Sequence, residues 1–197
     1  MFAFLLRVYA RIKEFLYKEN HMYYVIQVKT GKEQDTINNI KKYKRSDVDF
    51  DVFSPYRKEI RKYGSEYKEM IVRCFPGYVF VETNDIKQLF FDLYWVPGFT
   101  KILGREGLTH NFLPLTEDES RMIDILYSRN NDRITEISDI EVSEGDEISV
   151  LDGPLMGLKT KIVKVFLHKR KIRVGLTLCN KYVETDVGIN IITKSIN

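Results

Sequence analysis

The sequence predicts an α+β domain of helices and antiparallel strands, followed across a polar linker by a small all-β barrel. Three features carry this expectation. Helix-start signatures and strand-like runs alternate as far as residue 127, a polar stretch without sustained apolar period fills 128–144, and short strand runs with no helical pattern between them close the chain. A length of 197 residues allows one ordinary domain plus a small one, or a single larger one, and a composition 44% hydrophobic and 30% charged excludes a disordered chain.

At the N-terminus, "MFAFLLRVYARIKEFLYKEN" places Leu5, Val8, Ile12, Phe15 and Leu16 at helical spacing. Arg7, Arg11 and Lys13 interrupt it too early for a membrane span or a signal-peptide core. Residues 1–21 can be read as an amphipathic helix that docks on the protein or on a membrane surface. The preferred reading is that the folded unit starts at Met22 and that 1–21 are an appendage or the product of an upstream start codon.

Over 22–127 the first strand is "YYVIQV" (23–28) and the second "DFDVFSP" (49–55), followed by a polar hairpin across "YGSE" (63–66). Three helices are announced by a capping residue with Glu or Gln three positions on: Thr30 with Glu33, Asp85 with Gln88, and Thr116 with Glu119. Their inward residues are expected to be Ile37, Ile40 and Tyr43, then Leu89, Phe90 and Leu93, then Met122, Ile123 and Leu126. "FPGYVFVE" (75–82) is less easily placed, because nothing in it is polar before Glu82. Pro76-Gly77 suits a type II turn. In the strand after it, Val79 and Val81 share one face while Tyr78, Phe80 and Glu82 share the other. A core explains the valines; the aromatics need a cover.

The stretch "SRNNDRITEISDIEVSE" (128–144) reads as a flexible linker that lets the two halves move independently. The barrel at 145–197 is expected from "EISVLD", "KIVKVFL", "IRVGLTL", "KYVET" and "INIIT". Its β-branched content predicts a stable β state. It carries nine basic against five acidic residues, whereas 22–127 is balanced. The sharpest basic run is "HKRKIR" (168–173), at the tip of an expected hairpin, with Lys164 beside it. Such a cluster attracts phosphate backbones without reading sequence. "KKYKR" (41–45) and "YRKEIRKYG" (56–64) interleave tyrosines that can stack on bases, but read first as a solvated helix face and an exposed hairpin.

Catalytic patterns are missing: there is no glycine-rich phosphate loop, G-x-S-x-G or H-E-x-x-H. His21, His110 and His168 have no partners at metal-ligand spacing, so neither an enzyme nor a metal or cofactor is expected. Cys74 and Cys179 read as ordinary buried thiols of a reducing cytosol.

Five segments in order, "YYVIQVKTGKE" (23–33), "FPGYVFVE" (75–82), "VPGFTKILG" (96–104), "PLTEDE" (114–119) and "EGDEISVLDGPLMGL" (144–158), together resemble the NusG family of transcription elongation factors. The resemblance covers about 22–194. It implies an NGN domain at 22–127, an SH3-like KOW barrel at 145–197, and a monomer in the cytoplasm with no membrane attachment. It further implies that an aromatic face binds the clamp helices of RNA polymerase, assigning Tyr24, Phe75, Pro76, Gly77, Tyr78 and Phe80 to it. An exposed aromatic cluster is what such a contact requires.

Some positions depart from the family pattern. Leu178, Cys179, Asn180 and Lys181 stand where the general factor has an I-F-G-R-like segment that meets Rho or the ribosomal protein NusE. Thr160 replaces a glycine, and Leu155 a phenylalanine. These departures put coupling to Rho or NusE in doubt. They make the chain look similar to a specialised paralogue of the LoaP or RfaH kind, recruited to particular operons. The basic barrel favours the LoaP kind, which joins polymerase binding to recognition of a leader RNA hairpin. That assigns Lys164, His168, Lys169, Arg170, Lys171 and Arg173 to RNA. The competing readings are a general elongation factor, and a KOW protein that binds ribosomal RNA alone.

Overall fold

The computed structural model describes residues 22–45, 47–98, 101–103, 112–127, 133–143 and 147–194. The expected N-terminal extension and its His21, like His110, lie outside the described residues. The first unit is built on a four-stranded antiparallel sheet of β1 (Met22–Gln27), β2 (Phe50–Phe53), β5 (Tyr78–Thr83) and β6 (Lys101–Ile102), ordered β2-β5-β1-β6. Two helices, α1 (Glu33–Tyr43) and α2 (Ile86–Leu93), contribute Ile37, Ile40, Leu89 and Leu93 to a core shared with Val79 and Val81. The opposite side of the sheet carries Val25, Phe53 and Phe80, which belong to a second core. Both faces of β5 are therefore covered, which is why its sequence lacks polar alternation. Ahead of it, the Tyr78 N–H donates to the Phe75 carbonyl at 3.2 Å and Gly77 sits at φ +85°, as the expected type II turn requires.

Two of the three capping signatures form. Asp85 accepts from the Gln88 N–H at 3.0 Å. At α3 (Glu117–Leu126), Thr116 and Glu119 make a reciprocal capping box at 2.8 and 3.3 Å. The third does not: α1 begins at Glu33 after Lys32, which gives no side-chain cap, so Thr30 is not the N-cap. Glu33 turns instead into the fold, fully buried. Tyr43, expected inward, is exposed at the end of its helix.

The polar hairpin is longer than its turn suggested. Strands β3 (Tyr56–Tyr63) and β4 (Glu66–Arg73) pair in register from Tyr56↔Arg73 to Tyr63↔Glu66, and residues 61–70 are all exposed. On its other side β3 pairs in parallel with β7 (Ile134–Thr135). Here the structure departs from the expected linker: β7 and β8 (Ser138–Val142) both fall within 128–144. Ser138, Ile140 and Val142 point inward and are fully buried, alternating with Asp139 and Glu141. The period of two is present in the sequence, but acidic outward positions disguise it.

The barrel is a five-stranded sheet ordered β10-β11-β12-β8-β9, with β9 (Ile148–Asp152), β10 (Ile162–Phe166), β11 (Lys171–Leu178) and β12 (Lys181–Lys194). "KYVET" and "INIIT", read as two strands, are one. The fifth strand comes from the presumed linker.

The two units pack together. The Thr185 hydroxyl of β12 donates to the Cys74 carbonyl at 2.7 Å in a buried setting. A Cβ placed on Gly188 would lie 2.4 Å from the Lys58 carbonyl of β3, so β12 approaches β3 as closely as backbones allow. Lys58 bonds Glu136 at 2.9 Å, and Arg133 bonds Asp51 while lying 3.6 Å over the Phe53 ring. One apolar cluster runs from Phe75 and Phe80 through Ile123 and Leu126 of α3 into Leu155 and Ile172 of the barrel.

Candidate functional site

The residues that the family resemblance assigned to polymerase are divided between the two faces of the sheet. Phe80 is 0% and Phe75 2% exposed, with ring centres 5.6 Å apart; Phe53 stacks on Phe80 at 5.8 Å. In the arrangement described, these rings lie inside the shared cluster. Tyr78 is half-buried at its edge, and Pro76 is exposed. Tyr24 lies elsewhere. It pairs opposite Val81, and opposite residues share a face, so Tyr24 joins the helix-side core. Burial, with Asp85 nearby, raises its hydroxyl pKa.

Residues not singled out from the sequence complete the aromatic side. Tyr127 donates its hydroxyl to Tyr23, and Tyr23 donates to Asp124 at 3.0 Å. Burial is the main cause that pushes both phenols above their ordinary range. The Tyr127 ring meets Phe53 edge-on at 4.9 Å. Tyr23 was accessible to the alternation of "YYVIQV". The roles of Tyr127 and Arg133 were not, because they depend on contacts about a hundred residues apart in sequence.

Glu33 fixes the turn that presents this segment. Its carboxylate accepts the buried Gly77 N–H at 2.7 Å, with Arg73 at 3.6 Å. Burial works against ionisation, but the Gly77 amide, other backbone amides and Arg73 together outweigh it and hold the carboxyl below its ordinary range. Glu33→Ala is expected to cost about 2–3 kcal/mol, since it leaves a buried donor without a partner. A folded-state pKa below the unfolded one also fixes the sign with pH. The contribution is present above about pH 4.3 and lost as pH falls through the lower folded value. Denaturant melts of the wild type and Glu33→Gln against pH measure both effects; parallel curves through the acid range would contradict the assignment.

The basic hairpin tip gathers around a ring that the sequence reading passed over. Phe166 has Lys164 at 5.2 Å, Arg173 at 5.4 Å, Lys169 at 5.8 Å and Lys171 at 5.9 Å from its centre. Two of these cations are already paired. Asp186 takes Lys171 at 2.6 Å and Arg173 at 2.8 Å, and Glu184 meets Arg173 at 3.5 Å. Burial opposes the ionised form of Asp186, but the two cations outweigh it and hold the carboxyl below its usual range. His168 and Lys169 are exposed, while Arg170, left-handed at φ +49°, lies 4.8 Å over the Tyr67 ring of β4. Three of the "KKYKR" cations sit instead over nearby rings, Lys42 over Tyr43 at 5.4 Å, Lys44 over Phe50 at 5.0 Å and Arg45 over Trp95 at 5.3 Å.

Cys179 is half-buried at φ +49°, 4.0 Å from the Leu113 carbonyl. Burial pushes its thiol up to about 11, and that of Cys74 likewise to about 11. Among the described residues no group of three or more His, Cys, Asp or Glu side chains is placed to hold a metal ion. Nor is any helix among them long and apolar enough to cross a membrane.

These features define a two-unit α+β chain with an aromatic sheet face on one unit and a basic hairpin on a small barrel. Residues 21–124 match the family described as "Transcription termination factor nusG". The match takes in more than half of the chain, which therefore belongs to the NusG family. Among its relatives, the "Transcription termination/antitermination protein NusG" of Halalkalibacterium halodurans is 26% identical over 176 residues, 87% of this chain and 97% of that one. The protein of the same name from Streptococcus pyogenes serotype M1 is 29% identical over 109 residues, 55% of this chain. That alignment spans 59% of the streptococcal protein, about three fifths of its length. A solved structure described as "Domain interaction in Thermotoga maritima NusG" aligns over 85% of this chain and 93% of its own, at 18% identity and a TM-score of 0.44.

Proposed function

We propose that this chain is a transcription factor that binds RNA polymerase through the aromatic side of its first unit. It promotes processive antitermination at particular operons, as the LoaP kind does, and its barrel recognises a hairpin in the leader transcript. Phe75, Pro76, Tyr78 and Phe80 form the polymerase contact on the clamp helices, while Gly77 shapes their turn. Tyr24 supports the sheet from the other face. The chain acts as a cytoplasmic monomer with no catalytic step and no cofactor, and Cys179 gives Rho or NusE no aromatic to grip.

The observation that carries this reading is the burial of Phe75 and Phe80 in one cluster with the barrel. A surface that large and aromatic is costly to leave in water, and protein-binding hot spots are made of such residues. A partner that uses those rings has to part the two units first. Conformational selection therefore governs the encounter, and the apparent affinity scales with the fraction of open molecules.

Tyr78 offers the cleanest test because it is half-buried at the margin. Tyr78→Ala should lower polymerase capture by an amount equivalent to about 2–4 kcal/mol, as for a truncated hot-spot aromatic. The variant should keep the thermal transition of the wild type within a few degrees. Capture at wild-type strength by the folded variant would remove the aromatic side from the proposed contact.

A further inference from the structure

The cations of the hairpin tip differ in availability. Lys171 and Arg173 are held by Asp186, and Arg61 of β3 by Glu59. Among the described residues no ion pair engages Lys62, Lys164, Lys169 or Arg170. These four belong to both units. Lys62 lies on β3 and faces Tyr67 in the hairpin register, whereas the other three come from the barrel.

Between them lies a cleft of about 370 Å³. Glu59, Ile60, Arg61, Lys62 and Tyr67 line one wall, and His168, Lys169 and Lys171 the other. A second hollow of about 340 Å³ adjoins it across His168 and Lys169 and exposes part of Phe166. Two aromatic rings, Tyr67 and Phe166, thus stand on either side of the exposed pair His168–Lys169. Tyr67 is 50% exposed despite the Arg170 guanidinium 4.8 Å from its ring centre.

We propose that this cleft is a composite site for unpaired nucleotides of an RNA loop, built by the β3–β4 hairpin and the barrel tip together. The inference rests on the RNA-binding reading above and locates its site. Bases of a loop are splayed and stack on aromatic side chains or guanidinium planes, whereas paired bases cannot reach them. Tyr67 with Arg170 supplies one platform and Phe166 the other. The unpaired ammonium groups of Lys62, Lys164 and Lys169 take the intervening phosphates. Glu59 is spent on Arg57 and Arg61 and does not repel them as a free carboxylate would.

A composite site has a thermodynamic consequence. Its two walls meet only while β12 lies on β3, so RNA binds the closed arrangement better than the open one and stabilises it. Parting the units removes the Tyr67 wall and leaves the barrel's own half. RNA is then caught by the closed form and held more loosely once the aromatic side is taken by a partner.

The test uses the full chain and a fluorescein-labelled stem-loop RNA with an oligouridine loop, beside a blunt duplex of the same stem. Tyr67→Ala and Lys62→Glu alter exposed side chains of the first unit, and Lys169→Glu alters the barrel. Each is expected to weaken stem-loop binding by about tenfold, the loss of one stacked base or one phosphate contact. The duplex should bind more weakly than the stem-loop. If Lys169→Glu weakens binding while Tyr67→Ala and Lys62→Glu leave it unchanged, the site is confined to the barrel; the composite cleft fails and the RNA reading stands. Equal affinity for stem-loop and duplex would reduce the tip to sequence-blind charge and overturn the cleft. Absence of binding to either RNA at low salt would overturn the RNA reading itself.

Discussion

Replacing Phe80 with alanine should lower the stability of the full chain by about 3–5 kcal/mol, the range for truncating a buried phenylalanine. The ring is wholly buried between Phe53 at 5.8 Å and Phe75 at 5.6 Å, within the cluster that continues into the barrel. Its removal leaves a cavity that its neighbours cannot easily fill, since Phe53 is itself held against Tyr23 and Tyr127. Denaturant midpoints of the wild type and the variant measure the difference. A loss below about 1 kcal/mol would mean that the Phe80 ring is not packed in this cluster. Tyr78→Ala, at the margin of the same cluster, should cost clearly less.

Local rules served where local chemistry decides the outcome. The capping box at Thr116 and Glu119 and the cap at Asp85 formed as their spacing implied, because a cap is satisfied within one turn. Glu33 carried the same spacing and did something else, since a buried amide 44 residues away competed for its carboxylate. The strand at 138–142 was concealed by Asp139 and Glu141, whose outward places become apparent only when β12 lies alongside. The aromatic and basic residues of the candidate sites were legible by type. Their surroundings were not. Tyr24 fell on the opposite face through the register of β1 and β5, and Tyr67 met Arg170 only through the packing of two units. Both are non-local facts, set by pairing and docking rather than by neighbours in sequence.

The docking itself depends on a missing side chain. Gly188→Val should separate the two units while leaving each folded. A Cβ there would sit 2.4 Å from the Lys58 carbonyl, a backbone atom that cannot rotate away, whereas a β-branched residue suits the interior of a strand. Cys74 reports the result. Its carbonyl accepts the Thr185 hydroxyl from β12, its thiol is buried, and burial raises the thiol to about 11. Parting the units exposes the sulfur and returns it toward its ordinary value of about 8.5, so its thiolate fraction rises. The more basic thiolate is intrinsically the better nucleophile, which offsets part of that gain. In a Cys179→Ser background, alkylation of Cys74 should still quicken by at least about tenfold, with the far-ultraviolet circular dichroism unchanged. The same variant should capture polymerase more strongly and the stem-loop RNA less strongly, because one partner needs the open form and the other the closed. Alkylation at the wild-type rate would show that β12 can shift to admit the valine without undocking, and that the close approach at Gly188 does not govern the closed state.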